Sequence, residues 1–472
     1  MKQMQRRQPL AILAMSLAIL TCSPRARAQA TSRPIVLKGA LLIDGTGRPP
    51  IEKSVLVIQG GKIRAVGRAK AIRIPKGADV RDMSGKTIMP ALINVHGHLG
   101  ITSGLDQTAK NYTQENIESQ LNKYLAYGVG TVGSFGQDRD LIYEIRDAQR
   151  AGKIGGARFF TAGRGFSDPG GPSNPLDRRY HPKTPDEARA DVRELAGHHP
   201  DFVKIWVDDD LGRTAKMQSD VYQAISDEAH HHQLRVFSHM FYLADAKGLL
   251  AAGIDGFAHS IRDQPVDGEL ITAMKKQNIF LIPTLVRDES TFCYAEGPSW
   301  LDDPFFQAGI GSDVLAALRG PALMGKFRSD PYLPKLRAAF EMGKKNLKAL
   351  SEAGVKIAFG TDSGAAGYRF QGFFEHRELQ LMVEAGLTPM QAIVAATGTS
   401  AEVLRGQKEF GTLQPGRQAD LLVLDANPLE DIHNTEKLSA VWQAGKTVQA
   451  VWPNQQAQAQ AAAASERAEA GR

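Results

Sequence analysis

TIMPALINVHGHL, residues 87–99, is a run of apolar residues that ends on His96-Gly97-His98. The run reads as a buried strand over 87–94 leading straight into the histidines. Residues two apart on a strand project from the same face, so both imidazoles can meet one metal ion, and Gly97 leaves room between them. Such a pair is a weak signal alone, because a histidine at a strand end is commonly just a polar terminus. Its weight comes from residues farther along the chain. Lys204 in DFVKIWV, His239 in RVFSHMF, His259 in GFAHS and Asp362 in IAFGTDSG each close a short apolar run. Five strand ends thus carry residues of the type that ligate metals.

Between these runs the signals alternate. Helices are expected over about 113–127, 140–151, 184–195, 219–232, 244–252, 267–277 and 334–353, each leading to an apolar strand. The clearest start is Thr184-Pro185-Asp186-Glu187, with a capping Thr, Pro at the first helical position and Glu three residues after the cap. Counting the 87–94 run, eight apolar strands separated by helices predict a closed parallel barrel, whose active site lies at the C-terminal strand ends. Those are the ends that bear the histidines, Lys204 and Asp362. Two connections exceed ordinary loop length, the Gly/Pro-rich 164–181 and the stretch 287–332. Both leave the same rim and are read as substrate-facing lids, the alternative being an outer-surface elaboration.

Flanking the barrel are short strands with turn signals. SVLVIQGGKIRAVG reads as a hairpin about Gly60-Gly61. GTLQPGRQADLLVLD (411–425) and LSAVWQAGKTVQAVW (438–452) bring the same style back near the far end. They are read as the second part of one all-β module, the alternative being an independent C-terminal β domain. The expected boundaries are a leader at 1–28, β module at 31–86, barrel at 87–409, β module again at 410–452 and a flexible tail at 453–472.

The leader expectation rests on Lys2, Arg6 and Arg7 before the apolar run LAILAMSLAIL and on small-residue cleavage patterns around 26–30. That run is too short to span a bilayer. Removing 1–28 deletes Lys2, Arg6, Arg7, Arg25 and Arg27 and no acid, taking 57 basic residues to 52 against 51 acids. The basic excess therefore sits in the leader and gives no argument for nucleic acid as a partner. Cys22 leaves with it, and Cys293 then has no intrachain disulfide partner. Periplasmic or secreted localisation is expected, with a small-molecule substrate, no stable membrane span and room for a homo-oligomer.

The ordered set HGH, VKIW, SH, AHS and GTDSG, with HRELQLMVEAGLTPMQAIVAATGTSAEVLRG and PGRQADLLVLD after it, resembles the metal-dependent amidohydrolase superfamily, in its prolidase-like and imidazolonepropionase-like branch. The resemblance runs from Ile35 to about Trp452 and implies a (β/α)8 TIM barrel with a small β-sandwich accessory domain from N- and C-terminal segments. It further implies two divalent metal ions, zinc by the nature of the ligands. His96 and His98 would bind the more buried ion, and a carbamoylated Lys204 would bridge both. His239 and His259 would bind the second ion, and Asp362 would serve as ligand and proton shuttle. An ammonium cannot ligate a cation, so Lys204 needs conversion to a carbamate; its plain alternative is a barrel lysine paired with Asp208, Asp209 or Asp210. Two departures stand out: Asn94 where relatives often carry Asp, and Phe241 where many carry Tyr, with Tyr242 adjacent.

Hydrolysis of an amide or peptide-like bond is thus expected, the metal pair activating a bridging water and Asp362 passing its proton to the leaving nitrogen. The sequence has no Gly-rich phosphate loop and no nucleophile elbow. Dipeptides or N-acyl amino acids are the expected substrates, with Arg164, Tyr242, Arg262 and Arg369 as candidates to hold them. Two alternatives stay open: a one-metal cyclic-amide hydrolase, and a non-catalytic periplasmic metal- or ligand-binding protein.

Overall fold

In the computed structural model, which describes residues 33–171 and 179–448, the 87–97 run is two strands rather than one. Thr87–Pro90 pairs antiparallel with Leu421–Leu424 and parallel with Leu41–Leu42. Leu92–Gly97 pairs in parallel with Val129–Ser134. The chain changes sheets at Ala91, whose N–H donates to the Asp420 carbonyl while that of Leu92 donates to Gly128. Both strands are buried along their whole length. A strand covered on both faces shows no alternation, so a crossing inside an unbroken apolar run leaves no mark.

Helices separate the parallel strands along the chain, except that Phe166–Ser167 follows Arg158–Thr161 without one. Arg158–Thr161, Val129–Ser134 and Leu92–Gly97 form one sheet. Phe166–Ser167, Val203–Val207, Val236–Met240, Gly256–Ala258, Phe280–Ile282 and Lys356–Ile357 form another, every neighbouring pair parallel. Hydrogen bonds join the two sheets at both edges: Asp201 N–H to Thr161 C=O at one, Val95 N–H to Phe359 C=O at the other. The Gly97–Ser363 bridge extends the second seam.

Helix bounds fall close to those expected. Thr184 caps Pro185–Gly197 by accepting from Glu187 N–H. Glu187 reaches back to Lys183 N–H, one residue before the cap, so the reciprocal half of the box is displaced by one position. Asn278, at φ 56°, closes Gly268–Gln277 in the left-handed conformation.

The short strands make a four-stranded sheet, in the order Lys62–Arg68, Ser54–Gln59, Ile35–Lys38, Asp79–Asp82, and a five-stranded one. The five-stranded sheet holds Leu41–Leu42, Thr87–Pro90, Leu421–Leu424, Leu438–Gln443 and Lys446–Val448. Early and late segments therefore share a sheet, with Met89 opposite Leu422. Leu37, Leu56, Ile58, Ile88, Leu421, Val423 and Trp442 pack between the two sheets.

The stretch 287–332 is a helical insert with an aromatic core. Phe306 is fully buried and meets Trp300, Phe370 and Phe373 edge-on at 4.9–5.1 Å between ring centroids. Cys293, within it, is a free thiol. The expected leader, the 172–178 portion of the other long connection, and the tail lie outside the described residues. Among the described residues no helix is long and apolar enough to cross a membrane.

Candidate metal centre

His96 and His98, at the end of Leu92–Gly97, both turn Nε2 toward one oxygen of Asp362, at 3.2 and 2.8 Å. All three are at least nine-tenths buried. Gly97 matters for a reason other than space between the imidazoles. It points the opposite way, where a Cβ would lie 2.8 Å from Tyr124 Oη and 2.9 Å from Val132. Asp362 sits at φ 57°, an uncommon conformation for a non-glycine residue, and its second oxygen accepts from Arg369 Nη1.

A buried carboxylate braces this pair of strand ends. Glu375 Oε1 accepts from Asn94 Nδ2 (2.6 Å), Thr361 Oγ1 (2.7 Å) and Ser363 Oγ (2.8 Å), and Oε2 accepts from Gly372 N–H (2.6 Å). Asn94 Oδ1 in turn accepts from His96 N–H at 2.9 Å. Thr361 and Ser363 flank Asp362, so Glu375 ties the backbone around His96 to the backbone around Asp362. Asn94 is an amide with a donor to offer, which is what a carboxylate neighbour requires.

Across the centre, His239 Nδ1 and His259 Nε2 approach to 2.9 Å. Their other nitrogens have partners: His239 Nε2 lies 2.7 Å from Asp208 Oδ2, and His259 Nδ1 faces Thr284 Oγ1. A carboxylate or hydroxyl behind an imidazole is how metal-ligating histidines are usually oriented. Lys204 is fully buried. Its Nζ has no hydrogen-bond partner and lies 4.9 Å above the Phe135 ring and 5.1 Å above Trp206. Asp208, one of the acids that could have paired with it, serves His239 instead; Asp209 accepts from Tyr242, and Asp210 pairs with Arg213.

The electrostatics favour neutral nitrogen donors and anionic oxygens. Burial holds His96 and His259 well below the usual imidazole range and brings His239 down to about 4. Burial also draws Lys204 down to about 7, partly opposed by Asp362. Burial alone would raise Asp362, but Arg369, His96 and His98 hold it well below the carboxylate norm. Asp208 likewise ends below that norm, burial being outweighed by His239 and Arg262.

Whether these residues fit a metal is answered by their chemistry. Ligand atoms of His96, His98 and Asp362 all lie within 4.8 Å of one another. The Nδ1 atoms of His96 and His98 and Nζ of Lys204 are buried without a hydrogen bond, a cost that native structures rarely leave unmet. Imidazoles with a carboxylate are the donor set of zinc-type sites. The residues present fit the ion.

The four residues expected to hold substrate are placed differently. Arg369 adjoins Asp362. Arg164 binds Asp140 through both carboxylate oxygens near the surface. Arg262 is buried and spends Nη1 on Asp288 and Nη2 on the Met240 carbonyl. Tyr242 donates to Asp209 at 2.9 Å. Sequence reasoning missed Glu375, Asp208, Thr284, Glu378 and Arg287. Glu378, pushed up to about 8 by burial, accepts the N–H groups of Leu285 and Val286 and so anchors the turn carrying Thr284 and Arg287. The sequence signal for them was position: Asp208, Thr284 and Arg287 come just after an apolar run, as the ligand-type residues do.

The chain is 25% identical to the ochratoxinase of Aspergillus niger over 455 residues, covering 87% of this chain and 86% of that protein. The structure superposes on a putative prolidase from Bifidobacterium longum with a TM-score of 0.71, at 26% identity, over 89% of this chain and 95% of that one. It matches the fold of a Xaa-Pro dipeptidase with bound methionine equally well, TM-score 0.71 at 24% identity, covering 88% of this chain and 100% of the other. Residues 87–448 match the amidohydrolase family, and the chain belongs to that family.

Proposed function

We propose that this protein is an exported, metal-dependent amidohydrolase that cleaves amide or peptide-like C–N bonds in dipeptides or N-acyl amino acids. Its catalytic body is a (β/α)8 barrel carrying a β-sandwich built from both ends of the chain. Three lines support the substrate class: family membership, the ochratoxinase and dipeptidase relatives, and the arginines around Asp362. Export rests on the leader-like residues 1–28.

The observation that carries the two-ion reading is Lys204, a buried amine near half-neutral at pH 7 with no partner. A neutral amine can add carbon dioxide, forming an N–C bond and releasing one proton, and the product is the anion this position lacks. Two divalent ions, zinc by their donor set, held by His96, His98, carbamoylated Lys204, His239, His259 and Asp362, would supply Lewis acidity and lower the pKa of water. Asp362 takes up the proton of the attacking water and returns it to the leaving nitrogen. Arg369 holds the Oδ2 edge of Asp362, which keeps that carboxylate ionised and oriented until the proton arrives. Asp208 and Thr284 fix the tautomers of His239 and His259.

A one-ion reading also has an observation in its favour, since His96, His98 and Asp362 alone bring three ligand atoms within 4.8 Å. Hydrolysis separates the readings of function. Metal-loaded protein should release amines from a panel of dipeptides and N-acyl amino acids and lose that activity to a chelator. Cleavage confined to cyclic amides would favour the one-ion hydrolase. No cleavage of any amide, with metal bound, would favour a non-catalytic binding protein.

A further inference from the structure

We infer that Arg287 reads the free carboxylate of the substrate; this deepens the amidohydrolase reading above and rests on it. Of the guanidinium's donors, only Nη1 is engaged, giving a hydrogen bond to Asp288 Oδ1 at 2.9 Å. Nε is buried without a hydrogen bond; its nearest anion, Asp362 Oδ2, is 3.8 Å away, beyond hydrogen-bond reach. Nη2 also makes none among the described residues. Nε and Nη2 form one edge of the guanidinium, the two parallel N–H groups that match a carboxylate. Elsewhere this chain fills that same edge: Arg377 gives Nε and Nη2 to Glu289 at 3.1 and 2.6 Å, and Arg81 gives both to Asp79. At Arg287 that edge makes no hydrogen bond, and its Nε lies 3.8 Å from Asp362 Oδ2.

Charge balance points the same way. Asp288 is buried and is shared by Arg262 and Arg287, one carboxylate between two guanidiniums. Asp362 is already taken by Arg369. The third carboxylate of the cluster, Asp208, is hydrogen-bonded to His239, so the Nε–Nη2 edge of Arg287 has no carboxylate of its own. The position suits an amino-acid leaving group. In such a group the α-carboxylate is two bonds from the scissile nitrogen, and Asp362, the residue that would protonate that nitrogen, is the neighbour of Nε. The three arginines expected from the sequence lack this combination: Arg164 turns Nη2 to Asp140 near the surface, Arg262 gives Nη1 to Asp288 and Nη2 to the Met240 carbonyl, which leaves only Nε without a hydrogen bond, and Arg369 is occupied by Asp362.

Equilibrium binding tests this without turnover. L-methionine, L-phenylalanine and L-proline are compared with methioninol, phenylalaninol and prolinol, which replace the carboxylate by CH2OH and cannot be hydrolysed. Metal-loaded wild-type protein should bind the acids about 10- to 100-fold more tightly, the range of hydrogen bonds to charged groups. Arg287→Gln should abolish the preference while keeping its metal content and melting temperature, and Arg287→Lys should keep part of it. Equal binding of acids and alcohols by wild type, failure to bind any of the acids, or a preference that survives Arg287→Gln would each overturn the assignment. The amide panel judges the hydrolase reading separately: absence of turnover contradicts that reading whatever the binding shows, and a carboxylate preference lost in Arg287→Gln upholds the role of Arg287 even then.

Discussion

The two sides of the centre are built differently. Around His96, His98 and Asp362 the protein supplies the braces: Glu375 gathers four donors, two from the residues flanking Asp362 and one from Asn94, two residues before His96, and Arg369 closes the far oxygen of Asp362. On the other side His239 and His259 have their braces in Asp208 and Thr284, but Lys204 between the two sides has none. Both sides keep buried nitrogens without a hydrogen bond, Nδ1 of His96 and His98 on one and Nζ of Lys204 beside the other. Only the first has a carboxylate, Asp362, among its ligand-type residues; on the proposed reading the carbamate of Lys204 supplies the anion for the second.

Asp362 belongs to both sides in function, and its replacement should have the largest effect. Asp362→Asn keeps an oxygen beside His98 but cannot accept a proton. Turnover of the best amide substrate should fall by about 10²- to 10⁴-fold, as for general acid–base groups, while much of the metal is retained by elemental analysis. Near wild-type kcat would reduce Asp362 to a structural ligand. Asp208→Asn should act on the second side alone. Losing the carboxylate behind His239 should weaken metal there by roughly 10- to 100-fold, seen as the loss of one ion per chain on titration with a chelator while the other stays.

Glu375→Gln sharpens the contrast from the braced side. Its amide would set an N–H against a donor now satisfied by Oε2 or Oε1, so about 1–3 kcal/mol of stability should be lost in denaturant titrations. Turnover should fall with little change in KM, because what moves is the relation of His96 to Asp362. A variant as stable and as active as wild type would show that the network is dispensable.

What could be foreseen from the chain divides along the same line. Lys204, His239, His259 and Asp362 end short apolar runs, and a strand end is a local pattern. Thr113 and Thr184 cap their helices for equally local reasons. Glu375 lies 281 positions from Asn94 in a helix that is buried on nearly every side, and no local pattern in FFEHRELQLMVE marks it as a brace. The sheet change at Ala91 was hidden because two fully buried strands abut without a polar residue between them. The stretch 287–332 stood out only by its length as a connection; its Trp300 and Phe306 close a core with Phe370 and Phe373, far along the chain.

A separate effect lies in the pH dependence of the metal-free protein. Lys204 is lowered to about 7 in the fold from an ordinary 10.5. Below pH 7 folded and unfolded chains both carry its proton, and the full cost of the buried ammonium is felt. Between pH 7 and 10.5 the unfolded chain binds more protons than the folded one, so stability should rise with pH. The rise from this group is on the order of several kcal/mol at most, and Lys204→Met should remove it. A chelated wild type whose unfolding free energy takes the same pH course as Lys204→Met would contradict an unpartnered buried amine.

The most direct measurement is the number of metal ions per chain in wild type and Lys204→Ala, each expressed with and without bicarbonate. The account predicts about two ions in wild type, favoured by bicarbonate, and loss of bound metal together with activity in Lys204→Ala, partly restored by short carboxylates able to take the place of the carbamate. A single ion per chain, unchanged by bicarbonate or by Lys204→Ala, would contradict it.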